Sequence, residues 1–413
     1  MDTKIVFEKK RWLIAITTVI MQLCFGTVHA WSVFKKPLMI EYGWSELSTQ
    51  AAYMILLAFF GLSSAFVGWI INKKGPRFVT TVGGILFSIG MLVAGIAANI
   101  GSIVLLYIGY GFFGGLGACL GYVTPISVLI KWFPDRRGFI AGLAIMGFGA
   151  GSFFMGMIAP KLIIVLGVAN TLFICSAIFF VLIMVSSQFS DNPPSGWIPD
   201  GFILPISRIS ETSSYTFSEA IKTNQWWLLW GILFLNLTVG VGLISQLSPL
   251  AQNIIALNIK GSINIDDLAM KGGLIMAIAM IFNGIGRLFW AWISDLIGRK
   301  NTFFAMFITQ AILYIYLPVV NDIILFLIIA CYLLSCFGGG FATLPAFTAD
   351  AFGPDNIEKI YGVILTALSV AGIVGPFIFA YFGTYALYIS ACLLILGLVF
   401  TVLFKKPSYY KIQ

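Results

Sequence analysis

The stretch Gly68–Arg77 reads GWIINKKGPR, and a related stretch, AWISDLIGRK, occupies Ala291–Lys300, 223 residues later. Each stretch follows an apolar run and combines a glycine with neighbouring basic residues. A weaker correspondence at a similar offset joins Phe133-Pro134-Asp135 to Gly353-Pro354-Asp355. Repeats of the same orientation predict two similar halves, each of which places these loops on the same side of a membrane.

The composition of the chain excludes an ordinary soluble protein. Of 413 residues, 60% are hydrophobic and 10% are charged, whereas a soluble domain carries about 25% charged residues. A membrane-spanning helix needs about 20 apolar residues. Twelve such helices leave no room for a soluble catalytic or nucleic-acid-binding domain.

Apolar runs and their breakers predict an all-α membrane protein with twelve transmembrane helices in two parallel six-helix bundles. The helices are expected to start near Trp12, Thr49, Arg77, Ser102, Arg137, Val168, Trp226, Gly272, Thr302, Asp322, Lys359 and Thr384. The long polar connection gives an N-terminal bundle over 1–187, a cytoplasmic linker over 188–225 and a C-terminal bundle over 226–413. With both termini in the cytoplasm, 18 of the 24 Lys and Arg residues fall in inside segments and five in outside segments, as the positive-inside rule requires.

Residues that carry catalytic or metal-binding chemistry are few. The six cysteines all lie in apolar stretches without a C-x-x-C pair, and the chain has one histidine. We therefore predict buried packing cysteines, with no disulfide, no metal site and no cofactor. The net charge of +8 is spread between apolar segments and forms no long basic face, so we expect no nucleic-acid partner.

The two repeated loops resemble the signature loop of the major facilitator superfamily, G-x-x-x-D-[RK]-x-G-[RK]-[RK]. The first copy departs from this pattern at Asn72, where the family has Asp, while the second copy keeps Asp295. The departure weakens the expectation of an ionic latch in the N-terminal half. The resemblance implies that the conformational-latch loops contain Gly68, Asn72, Gly75 and Arg77 in the first half, and Asp295, Gly298 and Arg299 in the second.

Longer segments are similar to the oxalate/formate antiporter family. They are Lys131–Gly138 (KWFPDRRG), Asn192–Gly201 (NPPSGWIPDG), Glu219–Trp227 (EAIKTNQWW) and Phe282–Arg287 (FNGIGR) with Ser294-Asp295. The resemblance implies a carrier of small carboxylates such as formate, oxalate, lactate or pyruvate.

Arg287 is predicted to lie near the membrane centre. It precedes Asp295 by eight residues, which corresponds to about 12 Å of helix. A charge at this depth costs about 2.5–3.5 kcal/mol on insertion scales, and a guanidinium presents a planar fork that suits a carboxylate. No Asp or Glu falls at a comparable depth in a predicted span, so we predict that the substrate supplies the counter-charge. Snorkelling or bonding to helix carbonyls is the alternative.

The family resemblance also bears on substrate charge and coupling. It implies that Arg287 corresponds to the substrate-binding arginine of the eighth helix, which oxalate carriers pair with a lysine at the position of Leu368. One cation matches a monocarboxylate better than a dianion. Proton-coupled monocarboxylate carriers have an Asp where this chain has Asn283, so proton symport and anion exchange both remain open.

His29 is a candidate proton acceptor, because histidine titrates near neutral pH. On a helix it shares a face with Gln22, Gly26 and Val33. The stretch His29–Lys36 resembles the segment of the monocarboxylate carriers in which a functional lysine occupies the position of His29. A structural histidine that bonds a neighbouring helix is the alternative.

Four aromatic residues complete the predicted substrate site. Tyr122 corresponds to a cavity tyrosine in similar transporters, and its phenol can donate to a carboxylate. Phe148, Phe337 and Phe341 fall where oxalate carriers have cavity aromatics, which implies an apolar pocket suited to a methyl-bearing acid. Helix packing is the alternative role for all four.

We therefore predict a secondary transporter and not an enzyme. It would carry a small monocarboxylate of the lactate or pyruvate type by alternating access with proton coupling; an exchanger of formate, oxalate or another small carboxylate is the alternative. Expected partners are the carboxylate, protons or a counter-anion, and membrane lipid. We expect a monomer in a prokaryotic inner membrane.

Overall fold

The computed structural model describes residues 3–133, 137–194, 199, 215–257, 264–353 and 357–407. These residues form helices and short connections, and the described ranges contain no strand. Half of the predicted linker 188–225 and all of the loop residues 134–136 and 354–356 lie outside them.

The helices follow one another along the chain. They are α1 (Thr3–Gly26), a 3-10 turn (Thr27–Ala30), α2 (Trp31–Tyr42), α3 (Glu46–Lys74), α4 (Pro76–Ile100), α5 (Ile103–Leu106), a π-helix (Tyr107–Phe113), α6 (Gly114–Trp132), α7 (Arg137–Ser187), α8 (Phe217–Ala220), α9 (Asn224–Leu257), α10 (Ile265–Ile297), α11 (Arg299–Tyr316), a 3-10 turn (Leu317–Val319), α12 (Ile323–Phe352), α13 (Ile357–Ile364), α14 (Ala367–Phe382) and α15 (Tyr385–Leu403).

The number of membrane crossings agrees with the sequence. Eleven helical segments within the described residues are long and apolar enough to span a membrane. One of them, Leu143–Ser187, has 45 residues, about twice the length that one crossing needs. It lies in α7, which is broken at Gly167 with φ 79° and ψ 169°. The twelve predicted spans are thereby confirmed.

The repeated loops have the same backbone geometry. Gly75 between α3 and α4 has φ 81° and ψ 158°, and Gly298 between α10 and α11 has φ 87° and ψ 150°. Nothing lies within 4 Å of a Cβ built on either glycine. The requirement for glycine therefore comes from the positive φ, which residues with a Cβ rarely adopt.

The contacts divide the chain into two compact units. The first unit contains Met1–Ile203 and Leu247–Ile281, and the second contains Leu204–Gln246 and Phe282–Gln413. In the first unit α1 and α7 pack at glycine positions. A Cβ on Gly26 would lie 1.8 Å from the Phe148 carbonyl oxygen, and one on Gly151 would lie 2.0 Å from the Leu23 carbonyl oxygen.

In the second unit α10 and α12 also approach through glycines. A Cβ on Gly286 would lie 2.2 Å from the Ser335 carbonyl oxygen. The Trp290 indole N–H donates to the Ser335 hydroxyl at 3.3 Å. This close contact holds the middle of α10, where Arg287 lies, directly against α12.

The expectation that every cysteine is a buried packing residue is wrong at one position. Cys24, Cys119, Cys175, Cys331 and Cys336 are buried and free, whereas Cys392 is exposed on α15. A free thiol behaves as a small apolar group, so it is compatible with an exposed position on an apolar spanning helix.

Candidate substrate and coupling sites

His29 lies in the 3-10 turn that interrupts the first span. Its side chain is buried, with 8% exposed, and its Nδ1 atom lies 2.7 Å from the Tyr53 hydroxyl of α3. Which of the two atoms donates depends on the histidine tautomer. The contact places a titratable ring and a phenol in one hydrogen bond inside the membrane-spanning region.

Two further predicted residues continue from this ring, the first in contact with His29 and the second in contact with the first. Phe148 of α7 packs edge-on against His29, with ring centroids 5.5 Å apart, and Tyr122 of α6 packs edge-on against Phe148 at 4.9 Å. The Gln22 side-chain amide donates to the Tyr122 carbonyl oxygen at 3.0 Å.

Sequence reasoning did not select Tyr53. It lies 24 residues from His29, in another helix, and is completely buried. A tyrosine in an apolar span is a weak signal, because buried tyrosines are common and each needs some partner for its hydroxyl.

The second predicted site forms around Arg287. The arginine is 9% exposed, and Asn283, one helical turn earlier, is 2% exposed. The guanidinium carbon lies 5.3 Å from the centre of the Phe341 ring, within the range of a cation–π interaction. A Cβ on Gly338 would lie 2.5 Å from Asn283 Oδ1 and 3.1 Å from Arg287 Cγ. Asn283, Arg287, Gly338 and Phe341 are called the arginine cluster.

Phe337, the remaining predicted aromatic, packs against α9. A Cβ on Gly240 would lie 2.2 Å from the nearest atom of the Phe337 ring, so the ring fills the space that a side chain at position 240 would need. Its carbonyl oxygen accepts from the Asn236 side-chain amide at 3.3 Å. Asn236 is completely buried, and sequence reasoning did not select it.

The buried charge in the described residues is positive. Arg11, Lys35 and Arg287 are buried, and no Asp or Glu of the described ranges is. Arg11 stacks on Phe133 at 4.8 Å, and Lys35 donates to Glu46 at 3.0 Å.

The predicted latch loops carry ionic contacts in both units. In the second unit Arg299 lies 2.6 Å from Asp295 and 3.2 Å from Asp350. In the first unit Arg77 lies 3.0 Å from Asp191, beyond the end of α7. Asp191 is distant in sequence, and only the fold reveals it as the acidic partner.

A sequence profile of the Major Facilitator Superfamily matches residues 14–376 and 250–412. Together with the twelve spans, this match identifies the chain as a member of that superfamily, and the resemblance seen in the signature loops is confirmed. A crystal structure of a bacterial homolog of the human lysosomal transporter Spinster, inward-facing and unoccupied, has a TM-score of 0.70 and 14% identity, covering 95% of this chain and 96% of the other. That likeness shows the shared fold.

Several relatives match over most of the chain. The uncharacterized MFS-type transporter YhjX of Escherichia coli (strain K12) is 26% identical over 89% of this chain and 87% of its own length. The oxalate:formate antiporter of Oxalobacter formigenes is 23% identical over 88% and 83%. Apicoplast pyruvate carrier 1 of Toxoplasma gondii is 22% identical over 76% and 66%. Mammalian monocarboxylate transporters match shorter stretches, such as 40% of this chain for mouse monocarboxylate transporter 14.

Proposed function

We propose that this transporter carries a small monocarboxylate of the lactate or pyruvate type by alternating access, and that Arg287 binds the carboxylate. The observation that carries the proposal is the burial of a permanent cation beside Asn283 and the Phe341 ring. The guanidinium offers paired N–H donors to a carboxylate, and the ring offers an apolar surface to a methyl group. The named oxalate:formate antiporter and pyruvate carrier, both relatives of this chain, support a carboxylate cargo.

The balance of charge favours a monoanion. Leu368 on α14 is 7% exposed and apolar, at the position where the family resemblance implies a second cation in oxalate carriers. A dianion bound to Arg287 alone would keep one negative charge in a region of low dielectric, which is unfavourable. Lactate or pyruvate leaves no net charge when bound.

The proposed coupling residue is His29. Its hydrogen bond to Tyr53 gives the imidazole a partner that can donate or accept as the ring titrates. Asn283 favours the alternative function, anion exchange, because a side-chain amide does not bind and release a proton by titration, as the carboxyl of monocarboxylate carriers can at this position. In an exchanger, a counter-anion that binds Arg287 takes the place of the coupled proton, and His29 has a packing role.

The setting of the protein is part of the same proposal. We infer bundles over 1–187 and 226–413 joined by a cytoplasmic linker over 188–225, with both termini in the cytoplasm of a prokaryotic cell and the helices in its inner membrane. The protein acts as a monomer, because a single chain supplies both halves of a major facilitator.

The test is uptake of radiolabelled L-lactate and pyruvate into proteoliposomes. We expect Arg287→Ala to abolish uptake and Arg287→Lys to retain a small fraction, because lysine keeps the charge and loses the planar fork. Lys271→Ala is the matched control: it also removes one cation, from an exposed pair with Asp267, and should transport at the wild-type rate. Wild-type uptake by correctly inserted Arg287→Ala would refute the assignment.

The same vesicles separate the two coupling modes. An inward proton gradient without internal anion drives uptake in a symporter, and His29→Gln should then lose gradient dependence. Uptake that requires preloaded formate or oxalate, and is unchanged in His29→Gln, identifies an exchanger.

A further inference from the structure

Two polar contacts join the first span to α3 in antiparallel order. His29 Nδ1 meets the Tyr53 hydroxyl at 2.7 Å, and Lys35 Nζ meets Glu46 Oε1 at 3.0 Å. From the first contact to the second, the first span advances six residues towards its C-terminus and α3 recedes seven residues towards its N-terminus. Both contacts belong to the first unit.

Gln50 occupies the position on α3 between these contacts. It follows Glu46 by four residues and precedes Tyr53 by three, so the three side chains lie on one helix face. The antiparallel order places Gln50 opposite Trp31 and Ser32. The amide side chain of Gln50 therefore lies between the Lys35–Glu46 pair and His29 along the helix axis.

The Gln50 amide has unused hydrogen-bonding capacity. The side chain is 0% exposed, and neither its Nε2 nor its Oε1 atom has a hydrogen-bond partner. The buried indole nitrogen of Trp31, across the same interface, also lacks a partner. A buried amide without hydrogen bonds is costly, and native proteins usually resolve such groups with an internal water that makes about three hydrogen bonds.

We propose that Gln50 binds a buried water that connects His29, through Tyr53, to the Lys35–Glu46 pair. Glu46 keeps 41% of its side chain exposed, so the polar row reaches solvent at one end. By the orientation inferred above, this end faces the outside of the cell. The row is a route by which the imidazole of His29 exchanges protons with the external medium, and this role rests on the proposed proton coupling.

The proton step balances along this row. The bound water gives a proton to the Tyr53 oxygen while the phenolic proton passes to Nδ1 of His29. The water regains a proton from the solvent side, and the phenol is neutral before and after the transfer. The product is a protonated imidazole, with no other net change.

Other ionisable groups on the surrounding elements include Lys35 and Lys36 on α2, Cys24 on α1, Tyr110 on the π-helix and Tyr122 on α6. Tyr110 donates its hydroxyl to the Val28 carbonyl oxygen. On α7 the contact with His29 is the Phe148 ring, which does not titrate. The hydrogen bond to Tyr53 joins His29 to α3, on which Gln50 and Glu46 lie.

The single histidine makes a direct test possible. Protein labelled with 15N-histidine, in lipid nanodiscs, gives NMR signals from His29 alone, and the exchange of its ring N–H with water can be timed. We expect Gln50→Leu and Tyr53→Phe each to slow this exchange about tenfold, a factor that corresponds to the loss of one buried hydrogen bond. Gln310→Leu is the matched control, because Gln310 is also buried at 1% exposure with an unpartnered Nε2, but belongs to the second unit.

Slow exchange in Gln50→Leu and Tyr53→Phe with wild-type exchange in Gln310→Leu supports the proposal. Wild-type exchange in Tyr53→Phe overturns it, even if Gln50→Leu does not fold. Equal slowing in Gln310→Leu also overturns it, since a general loss of stability then explains the effect. Carboxylate uptake is measured separately on each variant, so absent transport with Gln50-dependent exchange would remove the proposed function and leave the water site in place.

Discussion

Gly338→Ala tests whether the contact between α10 and α12 positions the arginine cluster. The added Cβ would lie 2.2 Å from the Asn283 carbonyl oxygen and 2.5 Å from its Oδ1, whereas non-bonded heavy atoms settle at about 3.5 Å. The helices must therefore separate by roughly 1 Å. Overpacking of this kind costs about 1–3 kcal/mol of stability, and a misplacement of 1 Å at a site can reduce a rate by about 100-fold.

The assay combines carboxylate uptake with thermal unfolding of the purified variant. We expect uptake at subsaturating substrate to fall by about 10- to 100-fold, because the substitution displaces Asn283 and Arg287 together. Gly362→Ala is the control, since nothing lies within 4 Å of its Cβ in α13. Uptake and unfolding of Gly338→Ala that match those of Gly362→Ala would refute the argument that this close approach positions the cation.

Three smaller predictions concern the supporting structure. Ser152→Ala loses the hydrogen bond from its hydroxyl to the Gly26 carbonyl oxygen, at 2.6 Å, and should lower the free energy of unfolding by about 1 kcal/mol in chemical denaturation. Asp191→Asn breaks the exposed pair with Arg77 and should cost less than about 1 kcal/mol, with a smaller effect in high salt. Hydrogen bonds from the Thr216 backbone N–H and hydroxyl lower the pKa of Glu219; the cap is thus present at neutral pH and is lost as pH falls through the folded-state pKa. The protection factors of the amides in α8, which correct for the intrinsic pH dependence of exchange, should fall on acidification, and Glu219→Gln should remove this fall.

The membrane fold was predictable because it depends mainly on the hydrophobicity of each span, which is a local property of the sequence. About 20 apolar residues in a row span a bilayer whatever they contact, so the spans were visible without tertiary information. The irregular helical segments inside the spans were not predictable. The 3-10 turn at Thr27–Ala30 and the π-helix at Tyr107–Phe113 lie in runs whose composition resembles that of the surrounding helices.

Single residues of the candidate site were predictable where it costs much free energy to place their side chains in a membrane. Arg287 and His29 stood out as the embedded cation and the lone histidine. Their neighbours Tyr53, Gln50 and Gly338 did not, because a tyrosine, glutamine or glycine in a span has many structural uses. Their roles depend on contacts with other helices, which the periodicity of one helix does not encode.

The internal repeat extends beyond the loops from which it was first inferred. Arg77 and Lys300 occupy corresponding positions, 223 residues apart. Arg77 donates to the Gln188 carbonyl oxygen at 2.6 Å, just after α7 ends. Lys300 donates to the carbonyl oxygens of Val402 and Phe404 at 2.8 and 2.9 Å, where α15 ends. In each half, the cation after the loop glycine thus neutralises the negative end of a helix dipole.

The two loops differ in their acidic residues, although both have this cationic contact. In the second half Asp295 lies inside the loop and pairs with Arg299. In the first half Asn72 stands at that position, and Arg77 pairs instead with Asp191. Because Asp191 follows α7, the first loop is tied by charge to the segment that leads into the linker, whereas Arg299 reaches Asp350 at the end of α12. An ionic contact is therefore present at both loops, with an acidic partner after α7 in the first half and partners in the loop and at the end of α12 in the second.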